Sequence, residues 1–487
     1  MSGTMSGLVL FIAFGRGYTG LSHTESHLLL PVDSAWLALE RPENPMTITV
    51  MLRVEELTEA RFQEFLQIYW MAWERFRYMP VRRAPGWWWE QDPVFSLSHH
   101  LEVVPGHFDQ TALQSWVSAR LNQPLPDYRP RWKFWLVPGA EGGAALLLRI
   151  HHCYADGLSL MRVFERLCPP SPQQAPAIYG AAERANLARW KQAAGAWLNE
   201  LASADGLNEA GPDKIPANDA TASRNAIERA AWKSLKLVNE MSQFMVEPED
   251  TPSSLKRVLL GRRQCRWSQP VDLERFQRIA TVTGVKINDV LLSCVASAVR
   301  NHLQADFPES DASQIEDAVL HAGVPVDIRS RLPDDIRPGP DALGNYFGTV
   351  FVPLPVDGES ALERLFRIKH ETRRLKKSWQ PGLSWALTGA ASMIPEGWRQ
   401  PLADLFYRKA SAVVSNVRGT RETRYLAGCR ITEQMFWVPQ AGDIGLGISV
   451  VSYAGQVQFG VVADEAVMLW PERFLDDCLQ ELDAFPT

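Results

Sequence analysis

From Leu30 onward, apolar and polar positions alternate in short runs that predict a mixed α/β chain. Asp33-Ser34 stand where they can cap a helix carrying Trp36, Leu37 and Leu39, and Thr47 to Val54 reads as a strand. A helix follows over Arg61 to Phe76, then strands near Trp87 to Glu90 and Leu101 to Val104, a helix over Leu113 to Leu121, and a strand from Trp132 to Val137. The segment Ala144 to Ile150 is almost wholly apolar and lies between Gly142-Gly143 and a histidine pair, as a strand buried on both faces would. Gly157 then opens a helix with Leu160, Val163, Phe164 and Leu167 on one face.

Pro169-Pro170-Ser171-Pro172 starts a change of composition that lasts to Ser254, with helical spacing over 181–201 and 227–245. A second α/β unit runs from Leu255 to the end. It predicts helices over Leu273 to Ala280 and Asn288 to Val299. Its predicted strands are Ala318 to Val326, Thr349 to Leu354, Ala412 to Ser415, Gly447 to Tyr453 and Gln456 to Val462. The expected division is a leader of uninformative sequence over 1–29, a lobe over 30–168, a helical connector over 169–254 and a second lobe over 255–487. Two similar lobes invite a site between them.

At 487 residues the chain is long enough for such an arrangement. Its 50 Lys+Arg against 56 Asp+Glu give a net charge of −6, so no global positive field draws a nucleic acid. Six scattered cysteines form no Cys-x-x-Cys pair, which predicts neither a zinc site nor a redox motif and fits a reducing cytoplasm. The apolar run Leu8 to Phe14 is far shorter than the roughly 20 residues a membrane-spanning helix needs.

The candidate chemistry sits at His151-His152-Cys153-Tyr154-Ala155-Asp156-Gly157, where the buried strand ends and a helix begins. Side chains alternate faces along a strand, so one histidine faces a given cavity and the pair does not chelate one metal. A general base fits better, an effect worth about 10²–10⁴ in rate. Asp156 is placed to hold the backbone past the bend or to neutralise a buried arginine, and Gly157 to permit a tight turn. The plain alternative is a pair of core histidines at a turn. His99-His100 takes that reading, because Val104 and Pro105 follow it where the other string has Asp and Gly. Cys153 is disfavoured as a nucleophile, since a strand neighbour of His152 points away from it. A serine acyl-enzyme route is disfavoured too, because no Gly-x-Ser-x-Gly elbow occurs.

These residues resemble the bacterial wax ester synthase/diacylglycerol acyltransferase family, within the acyl-CoA-dependent acyltransferases that carry His-His-x-x-x-Asp-Gly. Further echoes occur in family order. They are Leu30-Pro31-Val32-Asp33, Asn44-Pro45-Met46, Pro130-Arg131-Trp132, Asn288-Asp289-Val290, Pro325-Val326-Asp327-Ile328-Arg329, Gly344-Asn345, Ser415-Asn416-Val417-Arg418-Gly419 and Ser452-Tyr453-Ala454-Gly455. Three departures concern acceptor preference more than chemistry: Arg131 where the family has Leu, Arg418 where it has Pro, and Cys153-Tyr154 inside the histidine motif.

The resemblance implies two chloramphenicol-acetyltransferase-like α/β sandwich lobes with a tunnel between them. It implies transfer of a long-chain acyl group from acyl-CoA to a fatty alcohol or diacylglycerol, without metal or cofactor. His152 is then the base, with His151, Asp156 and Gly157 around it. Asn288, with Asp289, is either an oxyanion donor or a helix cap. Ser415 and Asn416 join the substrate-binding set. A cationic surface for CoA phosphates is offered by Leu362 to Trp379, whose apolar Leu362, Leu365, Phe366, Leu375 and Trp379 follow helical spacing while Arg364, Arg367, Lys369, Arg373, Arg374, Lys376 and Lys377 outnumber the acids Glu363 and Glu371. That helix also predicts peripheral contact with a membrane or lipid droplet from the cytoplasm. The alternatives are a condensation-type or short-acyl enzyme sharing the motif, and a lipid-binding protein without catalysis.

Overall fold

Strand β1 (His27–Leu28), helix α1 (Pro31–Leu39) and strand β2 (Thr47–Val54) open the fold. The computed structural model describes residues 26–84, 86–177, 192, 195 and 249–486. Within the last range it omits 307–314, 316, 333–336, 358–359, 377, 379, 395–396, 398, 400–402 and 405–406. The helices expected over 181–201 and 227–245 therefore lie almost wholly outside the described residues, as do most of the leader and Lys377. The leader's last residues do belong to the fold: β1 pairs antiparallel with β4 (Gly86–Gln91), and Leu29 is buried. With β3 (Tyr78–Arg83) they form a small sheet. Between β2 and β3, α2 (Glu59–Phe65) occupies the first part of the helix expected to reach Phe76.

The first large sheet contains β5 (Leu101–Val103), β6 (Trp132–Val137) and β7 (Ala144–His151), with α3 (Gln110–Leu121) between β5 and β6 and α4 (Gly157–Leu167) after β7. The apolar run Ala144–His151 lies between β2 and β6 and is buried along its whole length. The second large sheet contains β8 (Arg263–Trp267), β9 (Val271–Asp272), β10 (His321–Asp327), β11 (Phe347–Pro353) and β12 (Ala412–Arg418). Helices α5 (Leu273–Thr283), α6 (Ile287–Asp306), α7 (Ala361–Lys376) and α8 (Gln380–Ala391) fall among these strands.

Chain order and space then part company. β13 (Tyr425–Leu426) and β14 (Cys429–Trp437) leave the second lobe and complete the first sheet, with Met435 opposite Met51 and Trp437 opposite Thr49. The chain returns to the second sheet as β15 (Leu446–Tyr453) and β16 (Gln456–Asp464) and ends in α9 (Pro471–Asp483). The first lobe reciprocates. α3 covers the edge of β8, where Ser118 Oγ accepts from Cys265 N at 2.9 Å and Asn122 exchanges bonds with the Arg263 backbone. An edge covered in this way has no unpaired backbone to offer another chain. The lobes are interleaved, and residues from distant parts of the sequence meet at their junction.

Candidate active site

β7 stops at His151, and His152 lies in the turn that follows. Strand alternation therefore does not separate the two histidines; the turn does. His151 Nδ1 accepts from Cys153 N at 3.1 Å, which leaves its Nε2–H directed at Glu40 Oε1, 3.5 Å away. Glu40 is held down to about 2: burial opposes its ionisation, but the His151 contact and Arg131 outweigh it. Arg131 Nη1 donates to Glu40 Oε2 at 2.8 Å. Tyr154 Oη accepts from Arg131 N at 3.0 Å and donates to Tyr78 O at 2.6 Å. Two of the three family departures, Arg131 and Tyr154, thus meet beneath the motif as one structural unit. Cys153 is buried, and desolvation pushes its thiol well above the ordinary value, the opposite of an activated nucleophile.

His152 faces another environment. Its backbone N–H donates to Met46 O at 2.7 Å, and Trp36 of α1 stacks on its ring at 4.1 Å. Phe347 of β11 lies 5.6 Å from it, between ring centres. Its Nδ1 is 2.8 Å from Asn345 Oδ1. Asn345 Nδ2 donates to His152 O at 2.9 Å and to Asp33 Oδ1 at 2.8 Å, so the amide nitrogen faces two acceptors and its oxygen must face the imidazole. Nδ1 therefore carries the proton, and Nε2 presents the lone pair. Desolvation holds the imidazole down at about 4, against the opposing effects of Asp156 and the Asn345 bond, so the ring is neutral at pH 7.

Asp156 caps α4, where its Oδ1 accepts from Ser159 N at 2.7 Å. Both of its oxygens also accept from Arg329 Nη2, at 2.9 and 2.8 Å, and Oδ2 accepts from Tyr346 N at 2.8 Å. Burial acts to raise its pKa, but Arg329 and these N–H donors overcome it, and the carboxylate is held below the usual range. Asp156 does both things expected of it: it holds the turn, and it neutralises a buried arginine. Gly157 does not fit its expectation. It begins the helix without a positive φ, and a Cβ added there would meet nothing within 4 Å. The turn that needs glycine is Gly344, at φ +143°, which presents its carbonyl to Asp156 N and sets up the next residue, Asn345.

Asp33 also departs from expectation. The helix starts at Pro31 with Leu30 as its cap, so Asp33 lies in the first turn, fully buried, and reaches Asn345 rather than its own backbone. Asp33 and Asn345 both lie in family echoes, yet the sequence pattern places neither of them at the site. The available signal was an acidic residue on an otherwise apolar helix face, flanked by Val32, Ala35 and Leu37.

The other candidates gather in the second lobe. Asn416 Nδ2 donates to Asn288 Oδ1 at 3.2 Å. Asp289 accepts from Lys286 N at 2.9 Å, closing half of a capping box, and from Thr372 Oγ1 of α7 at 2.7 Å. Ser415 is buried beside Asn416 on β12. Through Thr372 this cluster adjoins Arg373, and among the described residues no hydrogen bond connects it to His152. On α7 many of the cations counted in the sequence are already engaged: Arg364 with Glu481, Arg367 with Asp357, and Arg374 with Glu371. Arg373 and Lys376 are exposed. Leu362 and Phe366, expected on the apolar stripe, face outward instead, and Leu365, Ile368 and Leu375 fill it. A cavity of about 590 Å³ beside Phe366, Arg367 and His370 lies on this outer side and includes no residue of the histidine motif.

Residues 29–291 match the wax ester synthase/diacylglycerol acyltransferase catalytic domain, and residues 343–485 match the WS/DGAT C-terminal domain. The chain is 23% identical over 481 residues to the O-acyltransferase WSD of Acinetobacter baylyi, covering 94% of this chain and 96% of that one. A Mycobacterium tuberculosis protein described as a diacylglycerol O-acyltransferase is 29% identical over 390 residues, 77% of each chain. The solved wax ester synthase/diacylglycerol acyltransferase of Marinobacter aquaeolei VT8 shares the two-lobed fold, with a TM-score of 0.63 at 21% identity over 94% of this chain and 98% of that one. With its catalytic and C-terminal domain matches in the family's order, the chain belongs to the wax ester synthase/diacylglycerol acyltransferase family.

Proposed function

We propose that the protein transfers a long-chain acyl group from acyl-CoA to the hydroxyl of a fatty alcohol or a diacylglycerol, with Nε2 of His152 as general base. The observation that carries this reading is the bond from His152 Nδ1–H to Asn345 Oδ1, which reserves Nε2 for an incoming proton. The alcohol oxygen attacks the thioester carbonyl as its proton passes to Nε2. The tetrahedral intermediate then expels the CoA thiolate, which takes the proton from the imidazolium, leaving ester and free CoA. The donor is already activated, so the reaction needs neither a covalent enzyme intermediate nor a cofactor. Burial disfavours the imidazolium, while the buried Asp156 carboxylate and Asn345 Oδ1 favour it as it forms. The acyl chain and acceptor enter between the lobes, beside Trp36 and Phe347. The CoA phosphates meet Arg373 and Lys376 near the Asn288–Asn416 pair.

The acceptor and the ester product are nearly insoluble in water and acyl-CoA is an amphiphile, so the enzyme works from the cytoplasm at a lipid surface. Among the described residues no single helix is long and apolar enough to cross a membrane. Val258, Leu260, Leu469 and Trp470, each more than half exposed, support such contact. Their loops adjoin, because Leu260 N donates to Asp464 Oδ1 at 3.0 Å, and Arg473 lies over the Trp470 ring.

The deciding experiment follows thiol release from palmitoyl-CoA with hexadecanol and with dioleoylglycerol as parallel acceptors. Acceptor-dependent release with the matching ester supports the reading. Turnover only with acetyl-CoA, or with neither acceptor, overturns it. Sedimentation with vesicles tests the surface contact, which Trp470→Glu should weaken without changing turnover of a short, soluble alcohol.

A further inference from the structure

Asn345 is bonded at every polar atom. Its backbone N–H donates to Asp33 Oδ1 at 3.1 Å, and its carbonyl accepts from Trp385 Nε1 at 2.9 Å. Its side-chain oxygen takes the His152 Nδ1 proton, and its side-chain nitrogen serves Asp33 and the His152 carbonyl. A fully satisfied buried amide has one orientation, because turning it over would set oxygen against oxygen and N–H against N–H. Two different acceptors fix that orientation, and Asp33 Oδ1 receives one N–H from the side-chain amide and one from the Asn345 backbone.

We propose that Asp33 is a positioning residue for the reaction: its carboxyl fixes the Asn345 amide, and the amide fixes His152 in the tautomer whose Nε2 accepts the alcohol proton. The inference rests on His152 being the base. It adds a chain of command with parts from three places. Asp33 comes from the first helix of the fold, His152 from the turn after β7, and Asn345 from the loop before β11, 193 positions beyond the histidine. The base is therefore correctly set only when the Gly344–Tyr346 loop is docked on the first lobe. Asp156 reinforces that docking through Gly344 O and Tyr346 N.

The two oxygens of Asp33 have separate tasks. Oδ1 serves Asn345, while Oδ2 makes no hydrogen bond among the described residues and lies 3.9 Å from Arg75 Nη1. Burial raises this carboxyl to about 6, against the pull of Arg75 and the Asn345 bonds. A proton arriving below that pH settles on the unengaged Oδ2 and leaves Oδ1 as an acceptor. The Asn345 amide therefore keeps its orientation as Asp33 titrates.

Asp33→Asn retains an acceptor oxygen for Asn345, whereas Asp33→Leu removes it. Asp33→Leu is expected to lose about 10- to 100-fold in kcat with little change in KM for acyl-CoA, and Asp33→Asn to recover most of the loss. The wild-type pH profile should show no inflection near 6, and its acid limb should follow His152. Histidine ¹⁵N NMR on wild type, with His152→Ala to identify the signal, reads the tautomer directly and does not require the leucine variant to fold. Nδ1 should be protonated and Nε2 bare. An Nε2–H tautomer in the wild type, or equal kcat loss in the leucine and asparagine variants, overturns the proposal. If His152→Ala itself keeps full turnover, the base assignment has failed instead.

Discussion

His100 and His152 are each the second member of a His-His pair, each buried, and each held down at about 4 chiefly by desolvation. Each ring also stacks on a tryptophan, His100 on Trp132 at 4.2 Å and His152 on Trp36 at 4.1 Å. What differs is the partner at Nδ1. His100 meets the backbone carbonyl of Trp132, 32 positions away in the same lobe, a bond that needs no particular side chain. His152 meets a side-chain amide from the other half of the sequence, itself held by a buried carboxyl. Burial and a depressed pKa accompany both a core histidine and a candidate base. The convergence of long-range polar side chains separates them.

The largest expected effect tests that separation directly. His152→Ala should lower kcat by about 10²–10⁴-fold while the protein keeps its far-UV circular dichroism and its affinity for acyl-CoA. Variants of His100 should leave turnover per folded molecule unchanged. Equal losses at the two positions would remove the distinction.

Next in size is the clamp beside the base. Arg329 and Asp156 are both buried; removing Arg329 leaves the carboxylate without its cation, and removing Asp156 leaves the guanidinium only the more exposed Asp327, at 2.9 Å. Asp156→Ala should therefore cost about 3–5 kcal/mol in urea unfolding, to which the lost helix cap contributes. Arg329→Leu should be similarly harmful, and the double variant less harmful than the sum of the two.

The acid side of the stability curve gives a smaller effect. A buried histidine with a folded pKa near 4 and an unfolded one near 6.5 contributes stability that is complete above pH 6.5 and is lost as pH falls toward 4. His100→Phe should cost about 1–3 kcal/mol at pH 7, because the Trp132 carbonyl loses its donor. It should also flatten the loss of stability between pH 6.5 and 4 by up to about 3 kcal/mol, without moving the pH profile of turnover.

The sequence made some of this visible, for reasons that differ by residue. Thr47–Val54 and Trp132–Val137 have the bounds their patterns predict, because each is a central strand whose apolar run ends with the strand. The strand Cys429–Trp437 was not predicted, because Thr432, Glu433 and Gln434 interrupt its apolar positions. Glu433 is tolerated there because Arg53, 380 positions away, meets it at 2.7 Å. The histidine string was legible because its turn, cap and helix are local. The roles of Asp33 and Asn345 were not, because each is defined by a partner hundreds of positions away. Gly157 misled for the converse reason, since the residue type invites a backbone explanation that its own geometry does not require.

The smallest expected effect concerns the basic helix, where the charge count and the available charge differ most. The sequence offers Arg373, Arg374, Lys376 and Lys377 as one patch. Glu371 engages Arg374 at 2.9 Å, and Arg373 and Lys376 form no ion pair among the described residues. Arg374→Ala removes a solvent-exposed pair and should alter stability and KM little. Arg373→Ala combined with Lys376→Ala should raise KM for acyl-CoA several-fold and leave kcat unchanged, because phosphates held far from the thioester supply binding that is equal in ground and transition states. The increase should shrink as salt rises from about 0.05 to 0.5 M, since screening weakens the wild-type contact and not the variant's. A fall in kcat at constant KM would instead place these side chains near the reacting carbonyl, and would bring the second-lobe cluster into the same site as His152.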